Sequence, residues 1–268
     1  MKFLERIFRR LLWESQLSGE ELASKIPSRI ERAVTSGLAL YNVGETLILY
    51  DPRPIVDFVA QADWKSFRNK GTAVAFMEKG LNSAAMKACI GTISMDLKRD
   101  ASCGGWDCDD GPCGNASIVS LAASKQGYGP MLYDIGMYYS AAAGRDGMTP
   151  DRSAVSKEAE AVWNGMFRRP DIEKKQFVRR SPDKSVPEDP YACRLHPPSR
   201  PALNYAYRKT SSINPEIFIR KHNEILSIIS TLFRNEALGK EARFYMKEAL
   251  ITASDELFAY KYRSSRDI

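Results

Sequence analysis

Apolar positions change period along this chain, and the changes divide it into segments. Phe3, Leu4, Ile7, Phe8, Leu11 and Leu12 recur at helical spacing, with Arg6, Arg9 and Arg10 on other faces. A second helical pattern runs from Glu20 to Ala33, with Pro27 placed to break or kink it. From Gly37 the pattern turns to strands. Leu38–Tyr41 and Thr46–Tyr50 flank Asn42-Val43-Gly44, a hairpin-like turn. Pro52 and Pro54 close the second strand, since proline removes donors and restricts the residue before it. Ile55–Ala60 reads as a helical turn or helix. Thr72–Met77 and Ala88–Met95 read as two more strands, separated by Glu78–Lys87. The Gly- and Asp-rich run Ser102–Asn115 reads as a loop.

The stretch that follows organises the rest. Ser117, Ile118, Val119 and Leu121 form a compact, mostly apolar strand candidate. Gly127 and Gly129 let the backbone turn sharply, and Pro130 sits where a first helical residue belongs. Beyond it Leu132, Ile135 and Tyr139 share one helical face, as do Met131, Ile135 and Tyr138. A glycine loop at a helix N-terminus turns backbone N–H groups toward one point and favours an anion there. The same order also serves simply to reverse the chain in many α/β proteins. It is no dinucleotide fingerprint, because Leu132 stands where a third glycine belongs, and the chain contains no Gly-Lys-Ser/Thr phosphate loop.

Downstream, Gly147–Pro150 reads as a short extended piece and Lys157–Phe167 as a helix. Ser156 suits its N-cap, and Glu158 lies in the first turn, where the helix dipole favours it. Ala159, Val162, Trp163, Met166 and Phe167 fall on one stripe, which puts Trp163 in the core. Gln176–Pro201, rich in proline and charge, reads as an irregular surface segment, and Leu203–Tyr207 as a late strand. Pro215–Phe233 and Lys240–Tyr262 read as a helical hairpin, with Gly239 at the point where the first helix must end. Phe218, Ile225, Ile229, Leu232 and Phe233 give the first of these helices an apolar stripe, matched by Phe244, Ala249 and Leu257 on the second. The whole predicts an α/β (α+β) fold with a mixed, mostly antiparallel sheet flanked by helices. Three parts are expected: an N-terminal helical arm over 1–36, a central domain over 37–210, and the helical hairpin over 211–268.

Composition changes this picture little. Of 268 residues, 44% are hydrophobic and 10% aromatic, enough to bury a full core. A net charge of +6 is mild and does not by itself indicate nucleic acid. Charged residues interrupt the N-terminus, so no signal peptide is expected there, and no apolar run suits a membrane span. The N-terminal amphipathic segment is expected to fold on its own domain or form an oligomer contact, the alternative being one that docks a partner or lies on a membrane. Five cysteines cannot all pair internally. Cys103, Cys108 and Cys113, with Cys193 and His196, lack the spacing of zinc ribbons and fingers, so reduced thiols and no metal are expected. His196, alone in a proline-rich stretch, reads as structural.

Ser124-Lys-Gln-Gly-Tyr-Gly-Pro-Met-Leu-Tyr-Asp-Ile-Gly-Met137 resembles the acyl-CoA loop and helix of the GNAT acetyltransferase superfamily, nearest a branch found in tailed bacteriophages. The resemblance continues through residues 147–156, the helix 157–167, Arg169-Pro-Asp-Ile-Glu-Lys-Lys-Gln176, Cys193-Arg-Leu-His196 and Leu203-Asn-Tyr-Ala-Tyr207. It implies a GNAT-like central domain and acetyl-CoA as cofactor, with transfer to an amine. Pantetheine would lie along Ile118, Val119 and Ser120, and the pyrophosphate on Lys125, Gln126, Gly127, Tyr128 and Gly129. Glu78, Asp134, Asp151 and Tyr138 remain unranked candidates for a base. Three positions depart from the superfamily: Ser124 where Arg or Gln begins the loop, Pro130 without an N–H, and Trp163 where a Tyr often serves as acid. The alternative is a non-catalytic member kept as a virion structural or assembly protein, joined to other subunits through its terminal helices. Either implies the host cytoplasm or a virion.

Overall fold

The computed structural model describes residues 30–95 apart from 65 and 68, 116–151 apart from 126, 155–179, 192–193, 195–209, and 215–266 apart from 234 and 235. The strands are β1 (Ala39–Val43), β2 (Thr46–Tyr50), β3 (Cys89–Met95), β4 (Ser117–Ser124), β5 (Met148–Pro150), β6 (Glu173–Gln176), β7 (Val178–Arg179), β8 (Ala192–Cys193) and β9 (Tyr205–Arg208). The helices are α1 (Arg53–Gln61), α2 (Lys70–Ala88), α3 (Gly129–Ala142), α4 (Lys157–Arg168), α5 (Glu216–Leu232) and α6 (Glu236–Arg266). Seven strands form one sheet in the order β1-β2-β3-β4-β5-β9-β6, and β7 pairs with β8 alone. The expected α+β class, with a mostly antiparallel mixed sheet, is what the chain adopts. The amphipathic segment 3–12, residues 20–29 of the helix expected over Glu20–Ala33 and the cysteine-bearing loop 102–115 lie outside the described residues, as does most of 180–194, while residues 30–33 are helical as expected.

The chain divides into two compact units, neither continuous in sequence. The first holds residues 93–122 and 126–214. Its framework is the β4-α3-β5 crossover. β4 and β5 pair in parallel, with Ser117 opposite Met148, Ile118 opposite Thr149 and Val119 opposite Pro150. A buried polar knot ties the foot of this crossover. The Gly147 carbonyl accepts from the Ser117 amide at 2.8 Å and from the Ser140 hydroxyl at 2.7 Å, and the two serine hydroxyls lie 2.9 Å apart. Gly136 lets α3 come down on the sheet: a Cβ there would sit 2.7 Å from the Met148 sulfur and 2.9 Å from that of Met95. Residues Met131 to Met137 are all buried, so α3 is enclosed on most sides.

α4 begins as expected, the Ser156 hydroxyl accepting from the Ala159 amide at 3.2 Å. Ser156→Ala should cost about 1 kcal/mol in urea unfolding, the usual worth of such a cap; an unchanged midpoint would mean the cap contributes nothing. Trp163 is buried, edge-on to Tyr133 and tilted against Tyr207. The late strand is shorter than expected. A 3-10 turn takes Pro201–Asn204, and β9 starts at Tyr205, pairing antiparallel with both β5 and β6.

The second unit holds residues 31–92, 123–125 and 215–268. β1 and β2 form the expected hairpin, with Gly44 at φ +60° in its turn. The expected strand over Thr72–Met77 is instead the start of α2, one helix as far as Ala88. Asn69 caps it by accepting from the Thr72 amide at 2.9 Å. Its buried residues Ala73, Met77, Leu81, Ala84, Ala85 and Ala88 follow a helical period that short side chains hid. Gly80 marks a close approach, since a Cβ there would collide with the Phe58 ring of α1.

α5 and α6 form the expected helical pair, but their core is shared with α1, α2 and β2 rather than closed on itself. Gly239 does not end the first helix. It lies inside α6, where a Cβ would make an ordinary contact with the Ser230 carbonyl at 3.4 Å. Buried Ser254 on α6 donates to the Thr92 hydroxyl at 2.9 Å.

Candidate functional site

Among the described residues β4 pairs with β5 from Ser117 to Val119, and β4 then continues to Ser124. Ile118 is half-buried and Val119 buried, while Ser120, Leu121 and Ala122 are exposed. The Ser120 hydroxyl reaches the Ser94 carbonyl at 3.4 Å. Of the three residues expected to hold pantetheine, Ile118 and Val119 are still paired with β5, and Ser120 lies just past that pairing.

The loop keeps part of its expected shape. Gly127 has φ +75°, a left-handed conformation that glycine adopts without strain. Tyr128 is buried, and its carbonyl accepts from the Leu132 amide at 3.1 Å as α3 begins at Gly129. Gln126 lies outside the described residues. Lys125 is committed elsewhere: its amide donates to the Ile90 carbonyl at 2.7 Å and its ammonium to the Cys89 carbonyl at 3.1 Å. The amide expected to face a pyrophosphate is therefore spent on strand pairing, which leaves Gly127 to Gly129 as the stretch leading into the helix. The dipole of α3 favours an anion at this end of the helix, where Pro130 contributes no donor.

The candidate bases separate on burial. Asp134 is fully buried and accepts from Arg169 at 2.6 and 3.0 Å and from Lys209 at 2.6 Å. That removes it from the candidates for a base open to substrate. Tyr138 and Asp151 are half-buried, and Glu78 is exposed on α2 in the second unit. The Asp151 carbonyl accepts from His196 Nε2 at 2.9 Å. Asn204 brackets the backbone of His196, accepting its N–H at 2.7 Å and donating to its carbonyl at 3.0 Å. His196 is thus held in a structural role, as expected. Among the described residues no three His, Cys, Asp or Glu side chains converge as a metal site would require. Cys103, Cys108 and Cys113 lie outside those residues.

Two buried polar groupings had no sequence signal. In the first unit Arg169, just past the end of α4, bridges Asp134 and Asp171, and Lys209 contacts the same two carboxylates at 2.6 and 3.1 Å. Burial would raise the Asp171 carboxyl, but the bonds and charges of Arg169 and Lys209 outweigh it and hold it at about 2. Burial would likewise lower Arg169, yet Asp171 and Asp134 keep its pKa raised. In the second unit His222 of α5 meets Tyr50 of β2 at 2.8 Å. Four charged side chains in the first grouping and a neutral His–Tyr pair in the second, separated by up to 75 and 172 positions of sequence, converge only once the chain is folded.

Two cavities among the described residues include none of residues 125–129 in their lining. One of about 230 Å³ is lined by Val34, Leu38, Ile217, Phe218 and Arg220. The other, about 90 Å³, is lined by Asp146, Glu173, Lys175 and Arg208. Among the described residues no helix is long and apolar enough to cross a membrane. Comparison with protein-family models, curated proteins and solved structures gives no match.

Proposed function

We propose that this chain is a GNAT-like bacteriophage protein that binds acetyl-CoA and transfers its acyl group to an amine. The run from β4 through the glycine loop to α3 carries the reading. Among the described residues parallel pairing runs to Val119, and β4, exposed at Ser120 to Ala122, leads through the glycine loop into the N-terminus of α3. In that arrangement the backbone of Val119 and Ser120 would hold pantetheine and orient the acyl group, with an N–H near its oxygen. Gly127 to Gly129 and the dipole of α3 would hold the diphosphate. Bound there, acetyl-CoA supplies an acyl group activated as a thioester. Tyr138 and Asp151 are the half-buried candidates in the same unit for taking the proton of the amine. The resemblance rather than this geometry supplies the substrate class and the phage source.

A non-catalytic virion component is the second reading, and particular observations favour it. Trp163 is core-packed at the position of the usual acid, and the Lys125 amide is occupied. Ile217, Ile228 and Leu232 on α5 and Phe244 and Tyr260 on α6 are exposed, as side chains that meet other subunits would be. Thermal unfolding with acetyl-CoA separates the two. A ligand present at about 100 times its Kd adds about 2.7 kcal/mol, a rise of several degrees. No rise at millimolar ligand would end the transferase reading. Purified particles carrying the chain at fixed copy number would support the virion reading.

A further inference from the structure

His222 occupies a core position of α5. The buried residues of that helix, Phe218, His222, Ile225 and Ile229, recur on one stripe, so an imidazole stands where the pattern otherwise places a hydrocarbon. It is 5% exposed, and its Nδ1 lies 2.8 Å from the hydroxyl of fully buried Tyr50 on β2. The Tyr41 ring of β1 stacks on it, with centroids 4.8 Å apart and planes 10° from parallel. From α6, Lys247 places a positive charge near the imidazole, while Glu248 acts on Tyr41. On α5 itself Lys221 and Glu224 pair with each other at 3.1 Å. Groups from three elements besides α5 therefore bear on one ring, and the charge that reaches it is positive.

We propose that His222 is an acid-operated latch: neutral, it seals α5 against the β1–β2 hairpin, and protonated it lets that helix go. With the ring proton on Nε2, Nδ1 accepts from the Tyr50 phenol and the buried pair is satisfied. A second proton makes Nδ1 a donor, turns the Tyr50 hydrogen toward apolar neighbours, and buries a cation beside Lys247. Burial first, and Lys247 second, hold the imidazole down at about 4. Released, the ring titrates near its ordinary value of about 6.5. The open state therefore takes up the proton first. The latch is fully closed above about 6.5, weakens as pH falls, and is lost through about 4. Asp171, held at about 2 in the other unit, gives up its contribution only at lower pH and leaves this window clear.

Hydrogen exchange on the full chain at pH 7 and 4.5, corrected for intrinsic rates, tests this. The opening equilibrium of α5 amides should rise roughly fifty-fold while α3 keeps its protection. His222→Gln should abolish the rise. The chain has two histidines, so side-chain NMR of the unmodified protein offers a second measurement, with the His222 ring staying neutral down to about pH 4. Unchanged α5 protection, simultaneous loss in every element, a rise that persists in His222→Gln, or a ring that titrates near pH 6.5 in the folded chain would each overturn the latch.

Discussion

Replacing Arg169 by Met is expected to destabilise the first unit by about 3–5 kcal/mol, the range for breaking one side of a buried ion pair. The side chains of Arg169 and Asp134 are 2% and 0% exposed, and Arg169 makes both of its bonds to Asp134 within hydrogen-bond distance. Without the guanidinium, Asp134 keeps Lys209 but loses its two-pronged partner in a place water cannot reach. The methionine fills the volume, so the loss reports charge and hydrogen bonding rather than a cavity. Glu160→Gln is the matched control. Its partner Arg200 lies at 2.7 Å, but both side chains are about one-quarter exposed, and such a pair contributes about 1 kcal/mol or less. Urea unfolding of both variants decides the matter. A cost below about 1 kcal/mol for Arg169→Met would show that the cluster is an incidental contact rather than a clamp on α3.

Gly147→Ala should be nearly as costly, about 2–5 kcal/mol. Two effects combine at this position. Its φ of +123° is one that residues with a Cβ rarely adopt, and the added Cβ would press into the Tyr207 carbonyl and lie 3.2 Å from the Arg208 Cβ. A backbone carbonyl in a sheet cannot swing aside as a side-chain tip can, so β5 must shift against β9. The same residue's carbonyl anchors Ser117 and Ser140, which carries the shift into the foot of β4. Gly144→Ala separates the two effects. It shares a positive φ, +74°, but nothing lies within 4 Å of the added atom, so only the conformational cost of about 1–2 kcal/mol applies. Thermal unfolding of the pair should rank Gly147→Ala clearly lower. Equal melting points would refute the close-approach account.

Local chemistry wrote several elements plainly into the chain. Ser156 caps α4 because a hydroxyl one residue before a helix finds an orphan amide whatever surrounds it. The hairpin of β1 and β2 forms as expected, though its turn is Gly44-Glu45 and Asn42 and Val43 belong to β1, and the stripe through Trp163 puts the indole in the core. These features depend on neighbours within a few positions. The reading failed where a residue's meaning lies across the fold. Thr72 to Met77 looks like a strand because β-branched and aromatic residues cluster there, yet Ala73, Met77, Leu81 and Ala84 face one core at helical spacing. Gly239 looks like a helix stop, but it lies inside α6.

The candidate site divides along the same line. The strand, the glycine loop and the helix entered by Pro130 could be read in order from residues 117 to 142. That Lys125 spends its amide on Ile90, that pairing with β5 runs from Ser117 to Val119 among the described residues, and that Asp134 is locked away by Arg169 could not.

By itself, then, the sequence determined the helices, hairpin and caps whose causes are local, together with an α+β class. Only the tertiary structure decided how they were grouped: the C-terminal helices with α1 and α2, the ion cluster under α3, and His222 against Tyr50. The reason is range. A cap or turn gains its energy within one helical turn of sequence, whereas a buried charge or a close backbone contact gains or loses energy only through partners the chain brings together on folding.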